Sequence, residues 1–268
     1  MDILSLIGLV SGVGSIIATM IIDGGELGAL LQISAFLIVF GGTIAAVLLQ
    51  TPLKVFLRGL KMLSWVVLPP KDDRQDLVRD IMEWLRIARR EFILALDPVA
   101  EEQSDPFVRQ GLRLVVDGID AAQIRVLLES MIGTEEHEEM LACEVFEAMG
   151  GYSPTVGVLG AVLGLITVMA HLDDPSRLGT GIATAFVASV YGVGLANLFC
   201  LPIGNKLKLL VRKRVRRLEM ITEAMVGIAV MESPMQLEMR LSSFLDTDHK
   251  QQAGGEAAVG EGELRAAE

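Results

Sequence analysis

Charge is missing from four long runs of this chain. Ile3–Ile22, Leu27–Leu53, Ala148–Leu172 and Leu178–Asn205 hold no Asp, Glu, Lys or Arg. Each suffices for the roughly 20 helical residues that cross a hydrocarbon core of about 30 Å. The absence implies membrane spans and leaves those spans without a carboxylate, ammonium or guanidinium. If an ion crosses here, the group that binds it comes from another chain. Cysteine is also scarce: two among 268 residues exclude a disulfide framework. Cys143 and Cys200, just before and inside apolar runs, read as small hydrophobes. Aromatic residues reach only 5% while glycine reaches 27 residues, which suits close helix packing rather than a large ligand pocket. No nucleophile motif, phosphate loop or dinucleotide fingerprint is present, which argues against an enzyme. His137, Glu138, Glu139 and Cys143 lack metal-ligand spacing, so neither metal nor cofactor is expected. The N-terminus lacks a basic region and an A-x-A-like cleavage site, and reads as a retained helix.

What is present is apolar: 51% of residues are hydrophobic and the mean hydropathy is +0.50, outside the range of ordinary soluble domains. The net charge of −11 hides a separation, with acids in the middle segment and tail and bases at the membrane edges, which excludes a nucleic-acid partner. Of 23 Lys and Arg residues, only Arg177 falls in the short loops Asp23–Glu26 and Asp173–Arg177. Lys54, Arg58 and Lys61 follow the second span, and a run from Lys206 to Arg217 follows the fourth. The positive-inside rule then puts both termini and the large middle segment in the cytoplasm of a multi-pass inner (plasma) membrane protein. The seven bases of that run either touch anionic lipid headgroups or serve orientation alone.

The expected fold is all-α, a polytopic membrane protein with four transmembrane helices and a helical cytoplasmic domain between spans two and three. Its parts are hairpin one (1–53), the loop domain (54–147), hairpin two (148–205), a cytoplasmic helical extension (206–250) and a disordered tail (251–268). Pro69-Pro70 ends the helix leaving span two. Leu77, Ile81, Trp84, Leu85 and Ala88 predict a helix over Gln75–Leu96. Asp97-Pro98 and Asp105-Pro106 predict turns, and further helices are expected at Phe107–Val116, Ala121–Ile132 and Glu135–Met149.

Gly160 and Gly164 form a G-x-x-x-G pair, which allows close helix approach. Pro154 is expected at the start of span three, a bland position. Pro202 falls near the end of span four, where an apolar stripe continues past it, and is expected to kink that helix. Polar groups in the spans include Thr43, Thr167, Thr180, Thr184, Ser189 and Asn197, and Ser189 lies in an otherwise apolar run. Arg86, Arg89, Arg90 and Glu91, then Asp97, Glu101 and Glu102, form a charged cytoplasmic patch, either a solvated face or an electrostatic docking face.

These residues resemble the MotA/PomA family of flagellar stator subunits. The resemblance rests on Met1-Asp-Ile-Leu-Ser-Leu-Ile-Gly-Leu9, Phe40-Gly-Gly-Thr43, Ala88-Arg-Arg-Glu-Phe-Ile-Leu-Ala-Leu-Asp97, Ser153–Met169, His171-Leu-Asp-Asp-Pro175, Tyr191-Gly192 and Leu201-Pro-Ile203. It implies a homo-oligomeric, pentameric ring in the lipid bilayer around a dimer of a MotB/PomB-like B subunit. The B subunit would bring the ion-binding Asp that this chain lacks, an expensive and therefore functional group in a membrane. The loop would push the rotor protein FliG. By the same resemblance Arg89, Arg90, Asp97, Glu101 and Glu102 are rotor-contact residues. Pro154, Pro202, Ala161, Ala188 and Ser189 are ion-coupling residues. Sodium-type members carry Thr where this chain has Ala161 and Ala188, so the implied ion is the proton, with Ser189 retaining one hydroxyl. An ExbB/TolQ-like proton-driven motor would expect three spans with the N-terminus outside. A non-transporting membrane scaffold would use the charged loop without ion flux.

Overall fold

The computed structural model describes residues 3–25, 27–70, 73–173 and 175–245, and these form helices with no strand among them. The tail 251–268 and the end of the extension at 246–250 lie outside the described residues, as do Met1, Asp2, Glu26, Lys71, Asp72 and Asp174. The helices are α1 (Ile3–Ile22), α2 (Ile33–Gln50), α3 (Leu53–Val67), α4 (Arg74–Glu91), α5 (Asp97–Glu102), α6 (Pro106–Val116), α7 (Ala121–Met169), α8 (Pro175–Gly194) and α9 (Leu201–Ala229). A tenth, α10, is described over residues 234–245. Among the described residues three helices are long and apolar enough to cross a membrane: α2, α7 and the stretch Leu178–Ala229. Ile7–Ile22 forms a shorter apolar helix.

The chain divides into two compact units. The first is Met1–Pro70 with His137–Val211, and the second is Lys71–Glu136 with Arg212–Glu268. All four uncharged runs belong to the first.

In the first unit α7 and α8 meet backbone to backbone. A Cβ placed on Gly157 would lie 2.9 Å from the Ala188 carbonyl oxygen, and one on Gly164 2.8 Å from the Ala185 nitrogen. Gly192 is tightest, since its Cβ would lie 2.5 Å from the Ser153 carbonyl oxygen. The glycines of the expected G-x-x-x-G pair thus serve packing within the chain. Backbone cannot yield as a side chain can, so Gly192→Ala is expected to cost about 1–3 kcal/mol. Its readout is a lower melting temperature and lower abundance in the membrane. Gly133→Ala, with open space around it, is the control.

In the second unit the α4 stripe behaves as its spacing predicts. Leu77, Ile81, Trp84, Leu85 and Ala88 are all buried and share a core with Leu112, Leu128, Ile221 and Met225. Asp76 in the first turn of α4 and Arg89 and Arg90 in the last suit the helix dipole. Arg217 joins two helix starts to α9. It donates to Asp73 at 2.6 and 2.9 Å and to Asp105 at 2.7 Å, and Asp105 also caps α6 by accepting from the Phe107 N–H at 2.9 Å. Arg125 holds the Glu223 carboxyl below its ordinary range through a bidentate hydrogen bond. That stabilisation is complete at neutral pH and is lost as pH falls through the depressed value.

Three local expectations are corrected. The helix expected through Leu96 ends at Glu91, because Phe92 takes φ 68° and ψ 164°. Asp97-Pro98 opens a helix, with Pro98 in the first turn where its missing N–H costs nothing. The separate helices at Ala121–Ile132 and Glu135–Met149 are parts of one 49-residue helix, so Pro154 lies in its interior and not at a start. Gly150, whose carbonyl loses the Pro154 partner, carries no side chain, and a Cβ there would lie 2.6 Å from Leu201 Cδ2.

Candidate functional site

The residues expected to couple ions, Pro154, Pro202, Ala161, Ala188 and Ser189, all lie in the first unit. Pro202 cannot return a hydrogen bond to Leu198. The chain absorbs this in a π-turn over Leu195–Cys200, closed by the Leu201 N–H donating to the Ala196 carbonyl. A second π-turn, Leu37–Gly41, interrupts α2 just before Gly42 and Thr43. Such turns are rare and concentrate at functional sites.

Ser189 and Pro202 come to one side of the α8–α9 run. Ser189 lines a groove of about 440 Å³ with Ile16, Val193 and Asn197. Pro202 lines a cavity of about 350 Å³ with Gly8, Leu9 and Val66. Asn197 and Leu198 of the π-turn line both. The polar groups along this side are satisfied locally: Ser189 Oγ donates to the Ala185 carbonyl at 3.3 Å and Asn197 to the Val193 carbonyl at 3.0 Å. Ala188 is fully buried, in a cluster with Ala35, Val39 and Val187. Its methyl fills the place a Cβ on Gly160 would need, at 2.8 Å. Ala161 and Pro154 are half-buried on α7. Ser189 and Pro202 thus line separate cavities on either side of the π-turn residues Asn197 and Leu198, and Ala188 is turned into the helix seam.

A third cavity, of about 400 Å³, shows residues that the sequence reading passed over. Ser34 and His171 line it beside Thr167, Thr180 and Thr184. The His171 Nδ1 lies 2.9 Å from the Thr167 carbonyl oxygen, and Thr184 Oγ1 donates to Thr180 at 2.9 Å. The signal in the sequence was three threonines at intervals on α7 and α8. Two further hydroxyls, Thr43 and Ser153, are fully buried and have no hydrogen-bond partner among the described residues.

The residues expected to contact a rotor lie together in the second unit. Arg89 and Arg90 occupy the last turn of α4, Asp97 the first turn of α5, and Glu101 and Glu102 its end. All five are exposed. Arg89 Nη1 donates to the Glu232 carbonyl at 3.1 Å, which fixes one edge of the guanidinium. The basic run from Lys206 to Arg217 is partly engaged within the protein. Lys208 pairs with Glu147 at 2.6 Å, Arg214 with Glu135, and Arg217 with Asp73 and Asp105. Those three bases are occupied within the protein. Burial pushes the Cys143 thiol up to about 11, so it is neutral and inert as the sequence implied.

Known proteins match nearly the whole chain. Residues 6–91 match the motility protein A N-terminal family, and residues 99–220 match the MotA/TolQ/ExbB proton channel family. Motility protein A of Bacillus subtilis is 32% identical over 97% of this chain and 98% of its own length. The chemotaxis protein PomA of Vibrio alginolyticus is 29% identical over 92% of this chain and 96% of its own. The solved structure of C. jejuni MotAB matches with a TM-score of 0.85 and 31% identity, over 91% of this chain and 96% of that one. The flagellar MotAB stator complex of Bacillus subtilis gives 0.81 and 31%, over 92% and 97%. With long uncharged runs, two π-turns and a charged face accounted for along one continuous match, this chain belongs to the MotA/TolQ/ExbB proton channel family, on its motility protein A side.

Proposed function

We propose that this chain is the A subunit of a flagellar motor stator. Copies form a ring, most simply a pentamer, around a dimer of a B subunit in the inner membrane. Each copy crosses four times, the shorter apolar helix α1 included, with both termini and the second unit in the cytoplasm. The observation that carries the reading is that membrane-length runs without one Asp, Glu, Lys or Arg sit in a chain matched nearly end to end by a motility protein. A subunit of an ion-driven machine that lacks its own carboxylate needs one from a partner, and a single Asp held centrally serves every copy in turn.

In this reading protonation of the partner's Asp removes a charge from an apolar setting, and the helices facing it respond. Pro202 and the π-turn give α8–α9 a place to bend, with Ser189 in a groove that Asn197 and Leu198 of that turn also line. Pro154 gives α7 a second such place. The motion reaches FliG through Arg89, Arg90, Asp97, Glu101 and Glu102. The protein then works as a mechanical subunit and carries out no catalysis of its own.

The ion is the proton. Methyl groups at Ala161 and Ala188 cannot replace the water around a sodium ion, and Ser189 already donates to its own helix. Cells that depend on this subunit are expected to swim without sodium and to stop when a protonophore is added. Swimming that scales with external sodium at constant proton-motive force would sink the assignment. Loss of swimming on deletion, restored only by co-expression with the B subunit, tests the stator reading itself. A scaffold would conduct no ions in that co-expression.

A further inference from the structure

We propose that Phe92, with Leu94 beside it, is the apolar anchor of the rotor contact, seating in a hydrophobic groove between helices of the rotor protein. The inference rests on the stator reading and adds to it a residue that is neither charged nor coupled to ions. Phe92 stands 80% exposed and Leu94 71% exposed. Both belong to the second unit, which holds none of the uncharged runs, so lipid does not account for their exposure. Their neighbours Ile93 and Leu96 fill the core instead.

The backbone makes the display deliberate. At φ 68° and ψ 164°, Phe92 occupies a region that is essentially glycine's own. Glycine at this position would relieve the strain and remove an exposed ring from water. The chain carries phenylalanine and bears both costs. Other exposed apolar side chains of this unit, such as Leu127 and Met235, lie on helices with ordinary geometry.

The surroundings define the occupant. Arg89 and Arg90 precede the ring on α4, and Asp97, Glu101 and Glu102 follow it on α5. An aromatic anchor set between charges of opposite sign fits a groove with an acidic residue at one lip and a basic residue at the other. The anchor supplies affinity, and the exposed charges supply register and on-rate. A neighbouring copy in the ring is the competing occupant, and the experiment separates the two.

The full chain with its B subunit carries Phe92→Gly, and a parallel strain carries Arg89→Glu with Asp97→Lys. Complex assembly and melting temperature are measured on purified protein, and recruitment of a fluorescent fusion to motors is measured in cells. The expected result for Phe92→Gly is intact assembly, an equal or higher melting temperature and recruitment at least tenfold weaker. Normal recruitment with a defective charge double variant overturns the anchor and leaves the stator reading in place. Normal recruitment in both strains removes the contact face altogether. A lower melting temperature or a broken ring in Phe92→Gly assigns the side chain to packing within the complex and also overturns the anchor.

Discussion

Replacing Pro202 by Leu is expected to give a complex that assembles normally and does not turn. Proline inside a helix costs about 3 kcal/mol, through a missing hydrogen bond and a ring set against the preceding turn. Here that cost is absorbed by the π-turn at Leu195–Cys200. Leucine restores an N–H that reaches the Leu198 carbonyl, and the ordinary α-turn then becomes the better arrangement. The purified complex should therefore melt at the same or a higher temperature than the unaltered one. Abundance and co-purification with the B subunit should be unchanged, because leucine is at home in a membrane helix. Swimming should be absent, because α8–α9 has lost the place where it bends. Swimming at normal speed would make the bend incidental. Loss of the protein from the membrane would make Pro202 a folding residue.

Arg217→Ala should do the opposite and damage the fold directly. Arg217 is only 19% exposed and makes three close hydrogen bonds to the carboxylates of Asp73 and Asp105. Its guanidinium is raised above its ordinary value chiefly by the bond to Asp73, so it is charged at any working pH. Alanine leaves two carboxylates at the starts of α4 and α6 without the group that joins them. Removing one partner of such a network costs about 3–5 kcal/mol when burial is complete. The partial exposure of Asp73 and Asp105 lowers this to about 2–3 kcal/mol. Limited proteolysis should cut first around residues 73–105, and the melting temperature should fall. Arg217→Lys should recover little, because an ammonium cannot meet two carboxylates with the geometry of a guanidinium fork. If Arg217→Ala melts within about 0.5 kcal/mol of the parent, as an ordinary surface substitution does, the clamp is not a stabilising element.

Much of this fold is legible from hydropathy alone, because a run of 20 apolar residues has few alternatives and a charged one has none in lipid. The α4 stripe from Leu77 to Ala88 was legible for a related reason: each member meets the same core. What escaped were positions where a local rule is broken and the surroundings compensate. Phe92 ends α4 although nothing about phenylalanine stops a helix, since its conformation is one that residue type rarely takes. Pro154 sits inside α7 although proline marks a boundary, and two glycines before it leave room. The π-turns have no sequence signature of their own, because they conserve composition and change only the hydrogen-bond ladder. The candidate residues were nameable one by one, whereas their grouping was not. Ser189 and Pro202 line two separate cavities that share Asn197 and Leu198, while Ala188 points into the seam against Gly160.

The π-turn at Leu195–Cys200 also marks where this chain tolerates a change of length. It holds one residue more than an ordinary turn requires. Removing one residue within it would bring the turn back to α-helical spacing, short only of the bond that Pro202 cannot make, and leave every later side chain of α9 aimed as now. The same deletion elsewhere in α8 would swing all of them by about 100° around the axis. Leu207, Leu218, Ile221 and Met225 would then leave their buried places. A one-residue deletion at this point should therefore keep the buried face of α9 in register while losing the bend, and the same deletion in the helical stretches on either side should lose that register.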